Sequence, residues 1–118
     1  MSSAGAQANK FYEEVSAKRE VWFAESRDGN ALEFDVKDGK VSFPLWSSET
    51  RVQRIIKYNP ELLDGFKPRK LSWDSFLSIL VPILKDKRRM VGVNLSGKKI
   101  TGFDMPVDSL IRQIESFN

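Results

Sequence analysis

The sequence predicts an α+β domain, with a mixed or antiparallel sheet of about five strands packed by about four helices. Three observations predict it. Apolar residues recur at helical spacing in four separate stretches. Between them lie short stretches in which apolar and polar residues alternate, the pattern of half-buried strands. Asp-Gly and Ser-Gly pairs fall between consecutive strands, where glycine accepts the positive φ of a tight turn. The 118 residues are enough for one domain with a sizeable core. Residues 1–6, all small or start-related, are expected as a flexible tail, and residues 7–118 as the single domain.

The first helix is expected over about Gln7 to Lys18, with Ala8, Phe11, Tyr12 and Val15 on one face. Val21 to Glu25 reads as a strand, Asp28-Gly29 as a turn, and Leu32, Phe34 and Val36 as the next strand. Asp38-Gly39 is a second turn, followed by a strand through Val41, Phe43 and Leu45. Pro44 has no N–H to give a ladder, so this strand is expected at an edge or near its end. Ser47 or Ser48 can cap a helix of about Glu49 to Tyr58, closed by Asn59-Pro60. A short extended piece near Phe66 to Leu71 precedes the strongest helix. Ser72 caps that helix, and Trp73, Phe76, Leu77, Leu80, Val81 and Leu84 make its apolar stripe. Pro82 should kink or break it. Met90 to Leu95 and Lys99 to Phe103 form a hairpin around Ser96-Gly97. Asp104 and Pro106 start the last helix, which buries Val107, Leu110, Ile111, Ile114 and Phe117.

Composition excludes several chemistries. The chain has no cysteine, hence no disulfides and no thiolate nucleophile, and no histidine, the commonest general base and zinc ligand. No apolar run is long enough to span a bilayer, and the amino terminus lacks the pattern of a signal peptide, so the expectation is a cytoplasmic protein with no membrane partner. The net charge of +3 is mild and uneven: residues 1–59 hold 9 basic and 9 acidic side chains, residues 60–118 hold 10 and 7.

Two segments imitate ligand loops. Gly92 to Lys98 has the glycine and lysine spacing of a phosphate-binding loop. Lys99 stands where a hydroxyl residue is needed, however, and a strand follows in place of a helix. Asp35 and Asp38-Gly39 hint at a calcium loop but lack its ligand spacing and closing glutamate. Glu13, Glu14, Glu33 and Asp35 are the carboxylates available for acid–base work, and all are expected to face water. Ser47 and Ser48 have no visible activating base, so capping explains them better than nucleophilic catalysis. The expectation is therefore no enzyme, no catalytic residue, no cofactor and no metal.

Several segments also carry a family resemblance. They are the Val21-Trp22 strand, the Asp28-Gly29 turn, Phe43-Pro44-Leu45-Trp46-Ser47, Leu71-Ser72-Trp73 with Phe76, Leu80-Val81-Pro82-Ile83-Leu84, Val91-Gly92-Val93-Asn94 and the final amphipathic helix. In that order, over about Phe11 to Phe117, the chain resembles the bacterial domain of unknown function 2750 family. The resemblance implies a bacterial, cytosolic protein of similar size, and it carries over no activity and no site residue. A looser similarity links Pro44-Leu45-Trp46-Ser47-Ser48 to the strand-to-helix corner of the virulence-enhancer family, also found among toxin-immunity proteins. It implies an inhibitor-like role as an alternative.

The leading expectation is a non-catalytic module that binds another protein. Trp22 and Trp46 flank strands and read better as core than as an exposed aromatic anchor. The surface is nevertheless expected at the corner of Trp46, Ser47, Ser48, Arg51 and Arg54, where a tryptophan, if exposed beside the arginines, would form an interaction hot spot for an acidic partner. The alternative is weak nucleic-acid or anion binding, should Arg51, Arg54 and Lys57 converge with Lys67, Arg69 and Lys70 and with Lys85, Lys87, Arg88 and Arg89.

Overall fold

A computed structural model describes residues 4–117. The elements follow the expected order: α1 (Ala4–Lys18), β1 (Glu20–Glu25), β2 (Phe34–Asp35), β3 (Val41–Leu45), α2 (Glu49–Tyr58), β4 (Lys67–Ser72), α3 (Trp73–Ser75), α4 (Val81–Asp86), β5 (Met90–Ser96), β6 (Thr101–Pro106) and α5 (Val107–Glu115). The fold is α+β, with a four-stranded mixed sheet in the order β2-β3-β5-β6 and a two-stranded antiparallel sheet of β1 and β4. One bridge joins them: Trp22 and Trp46 exchange both backbone hydrogen bonds at 2.8 Å.

Three expectations shift. Residues 4–6, expected in the tail, are the first residues of α1, and residues 1–3 of that tail lie outside the described residues. The strand expected over Leu32 to Val36 is split. Ala31 bridges to Glu25 of β1, and only Phe34 and Asp35 then pair with β3. For β3 the second alternative holds: β2 and β5 flank it, so it is no edge strand, but it ends at Leu45, one residue past Pro44. It tolerates Pro44 because Pro44 is in phase with Ser42 and Trp46, whose amides face away from β5. β2 engages Ser42 and β1 engages Trp46, so the missing N–H falls in the gap between them. Finally, Asp104 and Pro106 belong to β6, and the last helix begins at Val107.

Pro82 does not break its helix. Phe76–Leu80 form one wide turn between α3 and α4, in which the Val81 N–H reaches back to the Phe76 carbonyl, five residues away. Widening the turn before a proline relieves its clash with the preceding carbonyls, and the chain stays helical through Asp86.

Side chains alternate across the sheets into two cores. Val21, Phe43, Leu45, Val91 and Val93 meet α1, α3, α4 and α5 in the larger one. Ala24, Trp46 and Leu95 meet Val52 and Ile55 of α2 in the other. Val93 and Leu95 are two residues apart and would ordinarily share a face. They do not, because Asn94 takes a left-handed conformation (φ 48°) at an irregularity of β5 between Val93 and Ser96. This inversion lets one strand feed both cores.

Candidate functional site

The five residues expected at the partner-binding corner are brought together, but most of them face inward. Trp46 is 1% exposed and its indole N–H donates to the Leu95 carbonyl at 2.8 Å. It is core, and the exposed aromatic anchor is absent. The sequence pattern left both readings open, with core the better one, because a tryptophan that ends a strand reads alike whether it caps a core or projects from it. Ser48 is the helix cap, its hydroxyl accepting the Arg51 N–H at 3.3 Å. Ser47, fully buried, has a different role.

Ser47 is the centre of a polar network that ties α1, the β3–α2 corner, α2 and β5 together. Its backbone N–H donates to Asn94 Oδ1 at 3.0 Å. Its hydroxyl donates to Glu14 Oε1 and accepts from Asn94 Nδ2 at 3.2 Å. The second Nδ2 hydrogen goes to the Gln7 carbonyl at 3.2 Å, so Asn94 is satisfied throughout although only 1% exposed. Arg51 closes the network, its Nε donating to Glu14 Oε1 at 3.3 Å and its Nη1 to Gln7 Oε1 at 2.9 Å. A buried hydroxyl with both its donor and acceptor roles used is a structural pin, and Oγ has no open path to a substrate. Of the five expected residues only Arg54 presents its side chain freely to solvent.

Glu14 responds to this setting in two opposed ways. Partial burial pushes its carboxyl up, while the Ser47 hydroxyl and the Arg51 guanidinium, with a contribution from Lys18, pull it down and prevail. Its folded pKa therefore lies below the ordinary value of 4.5. A depressed carboxylate contributes stability that is present above the unfolded pKa and lost as pH falls through the folded one. Thermal unfolding followed between neutral pH and acid should show this loss setting in below about pH 4.5. Glu14→Gln should be less stable than the native chain at neutral pH and show a shallower acid slope. Parallel pH profiles for the two would contradict it.

The basic groups do not form one free surface. Arg51 pairs with Glu14, Arg69 with Glu25 at 3.2 Å, Lys70 with Glu20 at 3.8 Å, Lys85 with Asp108 at 2.7 Å, and Arg89 with Glu33 at 2.9 Å. The carboxylates offered by the sequence are dispersed likewise. Glu13 is exposed beside Lys10, Glu14 and Glu33 are in ion pairs, and Asp35 borders a groove described below. The phosphate-loop imitation is a hairpin turn, with Gly97 at φ 79° between β5 and β6. Asp38 and Gly39 form the turn between β2 and β3, at φ 63° and 70°. Among the described residues no three His, Cys, Asp or Glu side chains are grouped to hold a metal ion. No helix there is long and apolar enough to cross a membrane.

Among the open concavities, two are walled by several large apolar side chains. The first, about 450 Å³, lies between the 30–33 segment and α4. Phe43, Leu80 and Leu84 form its apolar wall, and Ile83, Lys87 and Arg89 border it. Beside it, Ile79 and Ile83 stand one helical turn apart and are 58% and 45% exposed. Lys87 and Arg88, just beyond α4, are exposed as well. The second, about 460 Å³, crosses the α2 side of the four-stranded sheet, where α2 covers only one end. Phe34, Leu62, Leu95 and Ile100 wall it. Asp104, held by the Ser42 hydroxyl, and Asp35 stand at its rim with Lys99. Leu95 lies across Gly92 and Gly102, whose missing side chains leave room for it.

Sequence reading missed Ile79 and Ile83. The available signal was that both lie off the buried stripe of Phe76, Leu80 and Leu84, yet are large and apolar at an i, i+4 spacing.

A family model described as "Protein of unknown function (DUF2750)" matches residues 8–114 of the chain. No curated protein matches it.

Proposed function

The chain belongs to the DUF2750 family, whose function is unknown, so its activity has to be read from its own surfaces; we propose that it is a non-catalytic module that docks another protein on the Ile79–Ile83 ridge, which runs from the wide turn into α4. The observation that carries this reading is the coincidence of that ridge with an adjoining groove of about 450 Å³ and with Lys87 and Arg88. Most large apolar side chains of the chain are buried, and an exposed apolar pair beside a side-chain-sized groove is the usual make-up of an interaction surface. The partner is a protein segment with apolar side chains flanked by carboxylates. The apolar groups fill the groove, and the carboxylates meet the basic rim. The recipe expected at the Trp46 corner, an apolar anchor beside unoccupied cations, is thus proposed one helix system away. A chain without cysteine suits a reducing cytoplasm.

Ion pairing counts against the nucleic-acid alternative, because Arg51, Arg69, Lys70, Lys85 and Arg89 already have carboxylate partners. Capture from lysate of the source cell tests the proposal. Protein retained by the native chain after nuclease treatment at moderate salt should be lost with Lys87→Glu/Arg88→Glu. Retention of nucleic acid alone, released at moderate salt, would overturn it in favour of the basic-cluster reading.

A further inference from the structure

The trough on the α2 side of the sheet has the chemistry that the ridge requires. Its walls are Phe34, Leu62, Leu95 and Ile100, with Leu62 61% exposed, and its volume of about 460 Å³ accommodates two aliphatic side chains. Its rim carries two carboxylates, Asp35 and Asp104, against one ammonium, Lys99. Asp104 is held in place by the buried Ser42 hydroxyl across side-chain-free Gly92, so one rim charge is fixed before anything binds. The ridge is its counterpart in both respects: it is convex and apolar at Ile79 and Ile83, and basic at Lys87 and Arg88.

We propose that the trough receives the Ile79–Ile83 ridge of a second copy of this chain, with Lys87 and Arg88 of one copy facing Asp35 and Asp104 of the next. The proposal deepens the docking reading by naming one partner for the ridge. Val81 and Leu84 of the ridge helix pack into the core on one side of the four-stranded sheet, and Leu95 and Phe34 of the trough belong to the other side. Ridge and trough therefore point in different directions, and the contact is heterologous: copies stack head to tail into short chains, or into a ring if the rotation closes. Each contact is modest in area and weakens as salt screens the rim charges.

Sedimentation velocity on the full chain at low salt, from about 10 μM to about 1 mM, reads the association. Three samples decide it: the native chain, a ridge variant (Ile79→Asp/Ile83→Asp), and a trough variant (Leu62→Asp/Asp35→Lys) that leaves Asp104 and Ser42 untouched. The native chain should gain mass with concentration. Each variant should remain a monomer, with unchanged circular dichroism. An equimolar mixture of the two variants should form a dimer and nothing larger, because each supplies one intact surface. A native chain monomeric throughout, a mixture that stays monomeric, or a variant that associates like the native chain would overturn self-association. Failure here leaves the docking reading standing as long as the ridge variant still loses protein captured from lysate. A ridge variant that keeps its captured protein overturns that reading instead.

Discussion

Replacing Trp46 by alanine should lower unfolding stability by about 3–5 kcal/mol, measured by urea denaturation. Trp46 is among the largest fully buried side chains and lies between the sheet and α2, in contact with the cluster of Val52, Ile55 and Leu95. Alanine would leave a cavity that this rigid corner cannot close. Its backbone is held by paired hydrogen bonds to Trp22 on one side and by the Ser47 network on the other. The indole N–H also satisfies the Leu95 carbonyl. Trp46→Phe separates the two contributions, since it keeps much of the packing and loses the hydrogen bond, and should cost about 1–3 kcal/mol. A Trp46→Ala chain as stable as the native one would mean that the ring is not core. Loss of a partner in that variant would report lost folding, not a lost contact.

The second large effect falls on Asn94. Asn94→Ala removes the acceptor of the Ser47 N–H and the donors to Ser47 Oγ and the Gln7 carbonyl, and it places a Cβ-bearing residue without a compensating side chain at φ 48°. A buried amide left unpaired costs about 1–3 kcal/mol, and the left-handed conformation adds about 1 kcal/mol. The expected loss is about 3 kcal/mol. Asn94→Gly restores the backbone freedom but not the hydrogen bonds, so it should recover only the smaller share. Equal losses for alanine and glycine would show that the backbone conformation contributes nothing. A loss under about 1 kcal/mol for both would mean that the network does not stabilise the fold.

These residues also mark where the sequence was legible. The helix over Glu49 to Tyr58 and its cap at Ser48 follow from local chemistry alone, a hydroxyl before an amphipathic run, and they stand as expected. The Asp28-Gly29 and Asp38-Gly39 turns do too, because a positive φ is a local demand. What depends on distant chain was not legible. Nothing near Asn94 announces that β5 turns over there, since the reason lies at Gln7 and Ser47, 87 and 47 residues away in sequence. The same limit left Trp46 open between core and exposed anchor, a choice that depends on α2 closing over it. It also hid the pairing of Arg51 with Glu14 on another helix. Two sheets in place of one arise because the segment after β1 leaves it at Ala31 to join β3, and alternation within a strand does not say which neighbour it chooses.

One comparison in the same capture assay decides whether the Ile79–Ile83 ridge or the β3–α2 corner is the docking surface. Ile79→Asp/Ile83→Asp changes only exposed ridge side chains, and Arg51→Ala/Arg54→Ala changes the corner. Both are read against the native chain, with melting temperature recorded for each. The ridge variant should melt close to the native temperature and retain no protein. The corner variant should retain protein normally despite a lowered melting temperature from the lost Arg51–Glu14 pair. A ridge variant that still binds, beside a folded corner variant that does not, would contradict it.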